Sequence, residues 1–318
     1  MQSDKLYRVY NQDCITGMQE HVGDNTVDLV FTDPPYGIDG DELDVHYHRD
    51  ESVVVPGYRD VPLSEYADFS RNWVKQCERV LRPGGSLYIV SGYTNLHHIL
   101  NALHETKLQE INHLIAQYSF GVSTKNKFVS SHYHVLFWAK PDRAKQKRTF
   151  NSNWRYTDQK DSYHDRLSVQ TLPRDYKPGE IKNKNQLSET FIEKFIMYSS
   201  NRNDTVLDCF GGGLTTGRAA LRFGRRFIGF ELNPHAYAAF VPTLDSVEAR
   251  PDPVPEAPDQ EELAKRERLR AGWRRDRAAR KAEKNALTTA NGMLVWAHQD
   301  ESTESRDAGP DQDCGCCR

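Results

Sequence analysis

The sequence predicts an α/β fold with a mostly parallel, doubly wound sheet, and three observations lead there. Short apolar runs without clean alternation, such as Val27–Thr32 and Thr205–Cys209, read as strands buried on both faces. Stretches with apolar residues at helical spacing lie between such runs. Turn signals stand directly at the strand ends, Pro34-Pro35 after the first run and Gly211-Gly212-Gly213 after the second. Repeated strand–helix alternation places strands parallel in one sheet with helices on both faces. A chain of 318 residues fits one large domain of this kind with insertions, or about two domains.

The elements follow in order. Val27–Thr32 is a buried strand. Ser64–Leu81 is a helix whose apolar face is Tyr66, Phe69, Trp73, Cys77, Val80 and Leu81, and Arg82-Pro83-Gly84-Gly85 stops it. Ser86–Val90 is a strand and Leu96–His104 a helix. Tyr118–Phe120 and Tyr133–Ala139 are two further strands. After an interruption, Leu187–Ser199 is a helix, Thr205–Cys209 a strand, Thr215–Phe223 a helix and Arg226–Glu231 a strand.

Composition divides the chain. Residues 1–140 and 183–248 are two halves of the α/β domain. Residues 141–182 interrupt it, with ten Lys/Arg against six Asp/Glu and little periodicity, but with Phe150, Trp154, Tyr156, Tyr163 and Tyr176. Residues 249–318 form a tail: a proline-rich linker, a basic helical stretch over 261–287 with ten basic and five acidic residues, and a polar end expected to be disordered. The formal net charge of −3 taken alone speaks against a nucleic-acid partner, but it is a sum of unlike parts, and the two basic segments permit one. Cys14, Cys77 and Cys209 are isolated, and Cys314, Cys316 and Cys317 sit in the polar tail, so neither a disulfide framework nor a metal site is expected. No run reaches the roughly 18 apolar residues of a membrane helix, and the N-terminus lacks a signal-peptide core, which predicts an intracellular, cytoplasmic protein.

Chemistry concentrates in Thr32-Asp33-Pro34-Pro35-Tyr36-Gly37. In a doubly wound sheet, ligand sites lie at the carboxyl ends of strands. Two prolines fix the backbone and remove two N–H donors, which leaves carbonyl acceptors. The Asp33 carboxylate and a neighbouring carbonyl suit the two hydrogens of an exocyclic amine on a planar base, with Tyr36 stacking on the ring. Accepting both hydrogens localises the nitrogen lone pair and makes a poor nucleophile a better one. The alternative is a rigid turn with a surface Tyr.

The second feature runs from Val206 to Gly217. A strand, a glycine turn and a helix N-terminus suit a nucleotide-like cofactor. A phosphate-binding loop would need Lys and Ser/Thr after Gly217, where Arg218 and Ala219 stand. A dinucleotide fingerprint is not completed, because after Gly211 and Gly213 the third glycine position holds Thr216. The remaining reading is S-adenosylmethionine, which has no phosphate and carries a sulfonium that Asp208 would suit. Glu231 closes the next strand, where an acid takes both ribose hydroxyls.

Together these residues resemble the DNA amino-methyltransferases, in the beta arrangement, over roughly residues 7–245. The catalytic Asp-Pro-Pro-Tyr segment comes first, the target-recognition region next and the cofactor-binding glycine segment last. The resemblance implies a Rossmann-like, S-adenosylmethionine-dependent methyltransferase fold, with Asp33, Pro34, Pro35 and Tyr36 as the catalytic set. It implies that Asp13 and Cys14, in the lead-in Asn11-Gln12-Asp13-Cys14, face the cofactor's adenine. Asp208, Phe210, Gly211, Gly212, Gly213, Thr215, Glu231 and Asn233 complete the cofactor set. Gln186 and Ser188 fall in the segment that closes over the methionine end, where only Gln186 aligns plainly. Leu214 departs from the pattern, standing where the family's second glycine is expected.

The function this implies is methyl transfer to the N6 amine of adenine in double-stranded DNA, by direct transfer without metal or covalent intermediate. Asp33 rather than Ser at the head of the motif favours adenine. The alternatives are N4 of cytosine, or a DNA-binding subunit with impaired catalysis. Chemistry on a base amine requires the base to be flipped out of the stack. The 141–182 region is expected to read the sequence and grip phosphate, with Trp154, Arg155 and Tyr156 as contacts. His46–Val61 is expected to form a loop over the base. Residues 265–284 either touch DNA backbone or form a solvated helix. A homodimer and a cognate restriction endonuclease, as partner of a restriction-modification pair, are compatible with the resemblance.

Overall fold

The structure is a computed structural model that describes residues 5–38, 55–57, 60–119, 125–126, 128–152, 156, 162–173, 186–252, 264, 267–268 and 271–282. Residues up to Glu256 form one compact unit and those from Ala257 a second, in which residues 271–282 are helical. Trp154, Arg155, most of His46–Val61 and the tail cysteines lie outside the described residues.

The first unit is built on a single eight-stranded sheet. Its strands are β1 (Tyr7–Tyr10), β2 (Val27–Thr32), β3 (Leu81–Ser91), β4 (Gln109–Gln117), β5 (His132–Ala139), β6 (Val169–Thr171), β7 (Thr205–Asp208) and β8 (Arg226–Phe230). The order is β1-β8-β7-β2-β3-β5-β4-β6. Among the described residues, the β3–β5 and β5–β4 pairs are antiparallel and the other pairs parallel.

The helices are α1 (Cys14–His21), α2 (Leu63–Val80), α3 (Leu96–His104), α4 (Ser162–Asp165), α5 (Glu189–Ser199), α6 (Thr215–Arg222) and α7 (Pro234–Phe240), followed by a 3₁₀ turn over Val241–Ser246. They cover both faces. Leu29, Phe31, Tyr88, Val90, Val135, Phe137 and Val206 point to a core shared with α5, α6 and α7. Their sequence neighbours Val30, Leu87, Ile89, Leu136, Trp138 and Leu207 point the other way, to α1, α2 and α3. That is the period-2 consequence of a strand buried on both sides, and it explains why these runs show no apolar–polar alternation. Trp73, fully buried on α2, meets the ring of Phe210 edge-on at 5.5 Å. Burial of such a side chain contributes about 2–3 kcal/mol.

Two expectations are corrected. The strand expected at Tyr118–Phe120 instead runs over Gln109–Gln117 and ends where the expected one begins. The first half of β4 is mostly exposed and only Ala116 is buried, so Gln, Glu, Asn and His interleave with Ile and Leu and mask the run. The turn expected at Arg82–Gly85 is absorbed into β3, with a register shift against β2 between Val27 and Leu29. Gly84, at φ 73°, lies so close to the backbone of Lys147 and Arg148 that a Cβ would meet it at 2.6 Å. The interrupting region also contributes β6 to the sheet, pairing parallel with β4. Among the described residues no helix is long and apolar enough to cross a membrane.

The topology locates the site. Chain winding reverses between β7 and β2, which are neighbours in the sheet, and such switch points open a crevice at the carboxyl ends of the strands. Asp33 follows β2, Asp208 ends β7 and Glu231 follows β8, so three carboxylates far apart in sequence arrive at one edge.

Candidate active site

A cavity of about 760 Å³ opens at that edge. Its walls include Asp13, Cys14, Asp33, Pro34, Pro35, Tyr36, Gln186, Asp208, Phe210, Gly211, Gly212, Gly213, Thr215, Glu231 and Asn233. Two of the expected site residues stand apart. Ser188 is buried at the N-cap of α5, its hydroxyl 2.9 Å from that of Thr190, and is not part of the wall. Tyr156 is turned inward: its hydroxyl donates to Glu193, its backbone N–H donates to Asp165 at 2.8 Å, and its ring lies edge-on to Phe223. A tyrosine committed on both sides is a packing residue here rather than a surface contact. The wall also contains residues with no motif to announce them, among them Phe31, Asp60, Phe69, Ile192 and Phe230.

The Asp33–Tyr36 turn is held from three sides. The Tyr66 hydroxyl donates to the Pro35 carbonyl at 2.7 Å. Asn95 Nδ2 donates to the Tyr36 and Gly37 carbonyls, both at 2.8 Å. The Asp60 carboxylate accepts the N–H groups of Gly37, Ile38 and Val61 at 2.8–2.9 Å. Gly37 sits at φ 64°, and an added Cβ would strike the Tyr66 ring at 2.7 Å, so only glycine fits the exit of this turn. With Pro35 committed to Tyr66, Pro34 carries the carbonyl next to Asp33 that no described residue engages. Replacing Asn95 by Ala is expected to destabilise the fold by about 2 kcal/mol, since two shielded carbonyls lose their donor; the urea midpoint reads this. Asn95→Asp is expected to cost more, because a carboxylate cannot donate to either carbonyl.

The Tyr36 hydroxyl donates to Asp33 Oδ1 at 2.7 Å. Burial pushes the Asp33 carboxyl up to about 7, opposed by that hydrogen bond and reinforced by the neighbouring Asp208 charge. The Tyr36 ring lies 6.1 Å from that of Tyr133 and packs beside Gly92.

The other end of the cavity is a carboxylate and backbone cradle. Asp208, almost fully buried, accepts from the Thr32 hydroxyl at 2.8 Å and from the Phe210 N–H at 3.1 Å. Burial holds its carboxyl up at about 7. Glu231 accepts from the Gly212 N–H at 2.5 Å and the Asn233 N–H at 2.7 Å. It thereby fixes the glycine turn against the end of β8, and burial raises its carboxyl. Asn233 caps α7 and Asp13 caps α1, the latter accepting from Ile15 and Thr16, so both owe their position to helix starts. Gly17 lets α1 approach Phe230 so closely that a Cβ would be 2.4 Å from the ring, and this brings Asp13 and Cys14 to the cavity. Leu214 occupies the left-handed region at φ 52° and is fully buried. That conformation is glycine's preference, and here a leucine adopts it.

Chemically the cavity offers two different ends. One presents a rigid carboxylate, the Pro34 carbonyl that no described residue engages and an aromatic ring, which suits a planar group with an amine. The other presents carboxylates and backbone amides on a glycine turn, which suits a ligand with a cationic group and a diol.

A family model described as DNA methylase, of the N6/N4 type, matches residues 27–241. The type II methyltransferase M.BamHI of Bacillus amyloliquefaciens is 31% identical over 264 residues, covering 71% of this chain and 55% of its own. The type II methyltransferase M.HinfI of Haemophilus influenzae is 29% identical over 238 residues, covering 72% and 66%. The chain thus spans between about half and two thirds of the length of these curated relatives. Among solved structures, the cytosine-N4-specific PvuII DNA methyltransferase superposes with a TM-score of 0.56 at 18% identity, over 74% of this chain and 85% of its own. The complex of M1.HpyAVI with SAM superposes at 0.53 and 20% identity, over 75% and 99%. At those identities the likeness is one of fold.

Proposed function

The chain belongs to the DNA methylase family of the N6/N4 type, and from that premise we propose that it transfers a methyl group from S-adenosylmethionine to the N6 amine of adenine in double-stranded DNA. The observation that carries the reading is the pairing, in one cavity, of the Asp33–Pro34 acceptor set with the Asp208–Glu231 cradle. S-adenosylmethionine fits the cradle: Glu231 would take the ribose hydroxyls, Asp13 and Cys14 would flank the adenine, and Asp208 and Gln186 would face the methionine end. When bound, that group supplies an activated methyl on sulfur. The chain's residues do the rest. Asp33 and the Pro34 carbonyl accept the two N–H bonds of the target amine and aim its lone pair. Tyr36 stacks on the base. Asp33, poised near 7, is at hand to take the proton that the amine sheds. Fixing nitrogen and methyl within about 3–3.5 Å supplies much of the rate. The flipped base leaves a duplex that the basic region 141–182 and its neighbours would grip.

Asp33 at the head of the turn supports adenine, but the same acceptors suit cytosine N4. Nucleoside analysis of DNA methylated by the expressed protein decides between them. Expected is 6-methyladenine; 4-methylcytosine in its place would overturn the adenine reading. Absence of any transfer from labelled cofactor would favour a DNA-binding subunit instead.

A further inference from the structure

Leu214 needs something to hold it. A buried, non-glycine residue in the left-handed region sits in the middle of the turn that forms the cofactor wall, between Gly213 and Thr215. Its N–H donates to the Gly211 carbonyl at 2.6 Å, and its side chain packs over Gly211, which keeps the turn tight. One turn into α6, Arg218 reaches back to the same segment. Its Nη1 donates to the Gly213 carbonyl at 2.6 Å and its Nη2 to the Thr215 hydroxyl at 3.4 Å. Its Nε donates to Glu189 Oε2 at 3.2 Å. Glu189 opens α5, two residues after Leu187, which lines the same cavity together with Gln186. The guanidinium therefore ties the glycine turn to the start of α5, next to the wall residues Gln186 and Leu187. Its planar fork spans three acceptors in fixed directions, which a lysine cannot do.

We propose that Arg218, seated on Glu189, is a positioning residue for the S-adenosylmethionine site: it holds the Leu214 turn in its left-handed form. The inference rests on the cofactor reading above. A merely structural ion pair would affect folding stability; a positioning residue affects cofactor binding in the folded protein, and only while position 214 resists the left-handed form.

The test is a double-mutant cycle read by calorimetric titration with S-adenosylmethionine, with thermal melts to confirm folding. Wild type is titrated first; if it binds no S-adenosylmethionine, the cofactor reading falls and this inference falls with it. With wild-type binding in hand, Arg218→Gln is expected to weaken affinity roughly tenfold, the scale of one charge-assisted hydrogen bond, with methyl transfer at saturating cofactor changed less than about twofold. Glycine adopts the left-handed form freely. In the Leu214→Gly background the same Arg218→Gln change is therefore expected to cost less than about threefold. Leu214→Asn, which also tolerates that conformation, replaces Leu214→Gly if the latter does not fold. Equal cofactor affinity of wild type and Arg218→Gln overturns the proposal, as does an undiminished penalty in both position-214 backgrounds.

Discussion

Asp33→Asn is expected to lower methyl transfer by on the order of 10³-fold while the protein becomes more stable at alkaline pH. The loss follows from the geometry. Asparagine keeps the shape and still accepts the Tyr36 hydroxyl, but it brings a donating NH₂ to a place where the target amine presents its own hydrogens. Removing one preorganised partner of this kind costs about 10²–10³ in rate, and loss of the proton acceptor adds to it. Cofactor affinity is expected to stay within about twofold, because the cradle lies at the other end of the cavity. The stability change has the opposite sign. The folded carboxyl is raised to about 7, chiefly by burial, whereas an unfolded aspartate titrates near 3.8. The folded state therefore binds this proton more tightly than the unfolded state does. That contribution is fully present below the unfolded value and is lost as pH rises through about 7. Asp208, raised to about 7 by its own burial, behaves likewise. Wild type should then lose stability between about pH 4 and 7 through both groups, and Asp33→Asn through one only. Melts across that range, with single-turnover rates at the same pH values, check both halves. The wild-type rate should fall as pH drops below about 7, since a protonated Asp33 no longer accepts. An Asp33→Asn variant with near-wild-type transfer would remove Asp33 from the chemistry.

That the same residue limits stability and carries the proposed chemistry explains why its surroundings are so heavily braced. Tyr66, Asn95 and Asp60 spend five hydrogen bonds on the backbone from Pro35 to Ile38. A carboxylate disfavoured by burial would otherwise rotate toward water, and the braced turn keeps it facing the cavity.

What could be read from the residues was what is contiguous. The Asp33–Tyr36 turn, the glycine turn and Glu231 each stand at a strand end, so strand recognition alone sent them to one edge. The braces were not legible. Asp60 and Asn95 sit 22 to 59 residues from the turn's carbonyls and amides that they bind, and nothing in their spacing marks them. Tyr66 was visible only as one apolar position of a helix face; its hydroxyl function depends on how α2 lies across the sheet. The same blindness affects Tyr156, expected at a DNA surface because it is aromatic among basic residues, yet tied to Glu193 on α5. Leu214 is the instructive intermediate. Its mismatch with the glycine pattern was visible, but its left-handed backbone and the guanidinium beside it belong to the tertiary structure.

Glu231 supplies the second large effect, and here the conservative variant is the informative one. Each carboxylate oxygen accepts a backbone N–H, Oε2 from Gly212 and Oε1 from Asn233. A glutamine can accept at only one of these places and must present its NH₂ to a donor at the other. Glu231→Gln is therefore expected to weaken S-adenosylmethionine binding about as much as Glu231→Ala, on the order of 10²-fold, the equivalent of two charge-assisted bonds to a diol. Both variants should also be less stable by about 1–3 kcal/mol for the N–H left without an acceptor. Calorimetric titration with cofactor and a urea melt of each variant separate the two consequences. If Glu231→Gln bound cofactor as wild type does, a single acceptor would suffice, and the double role of this carboxylate would be wrong. The argument turns on acceptors because the glycine turn and the start of α7 both point N–H groups at one spot. Only an ionised side chain with two oxygens can satisfy them while its remaining lone pairs stay turned toward the cavity.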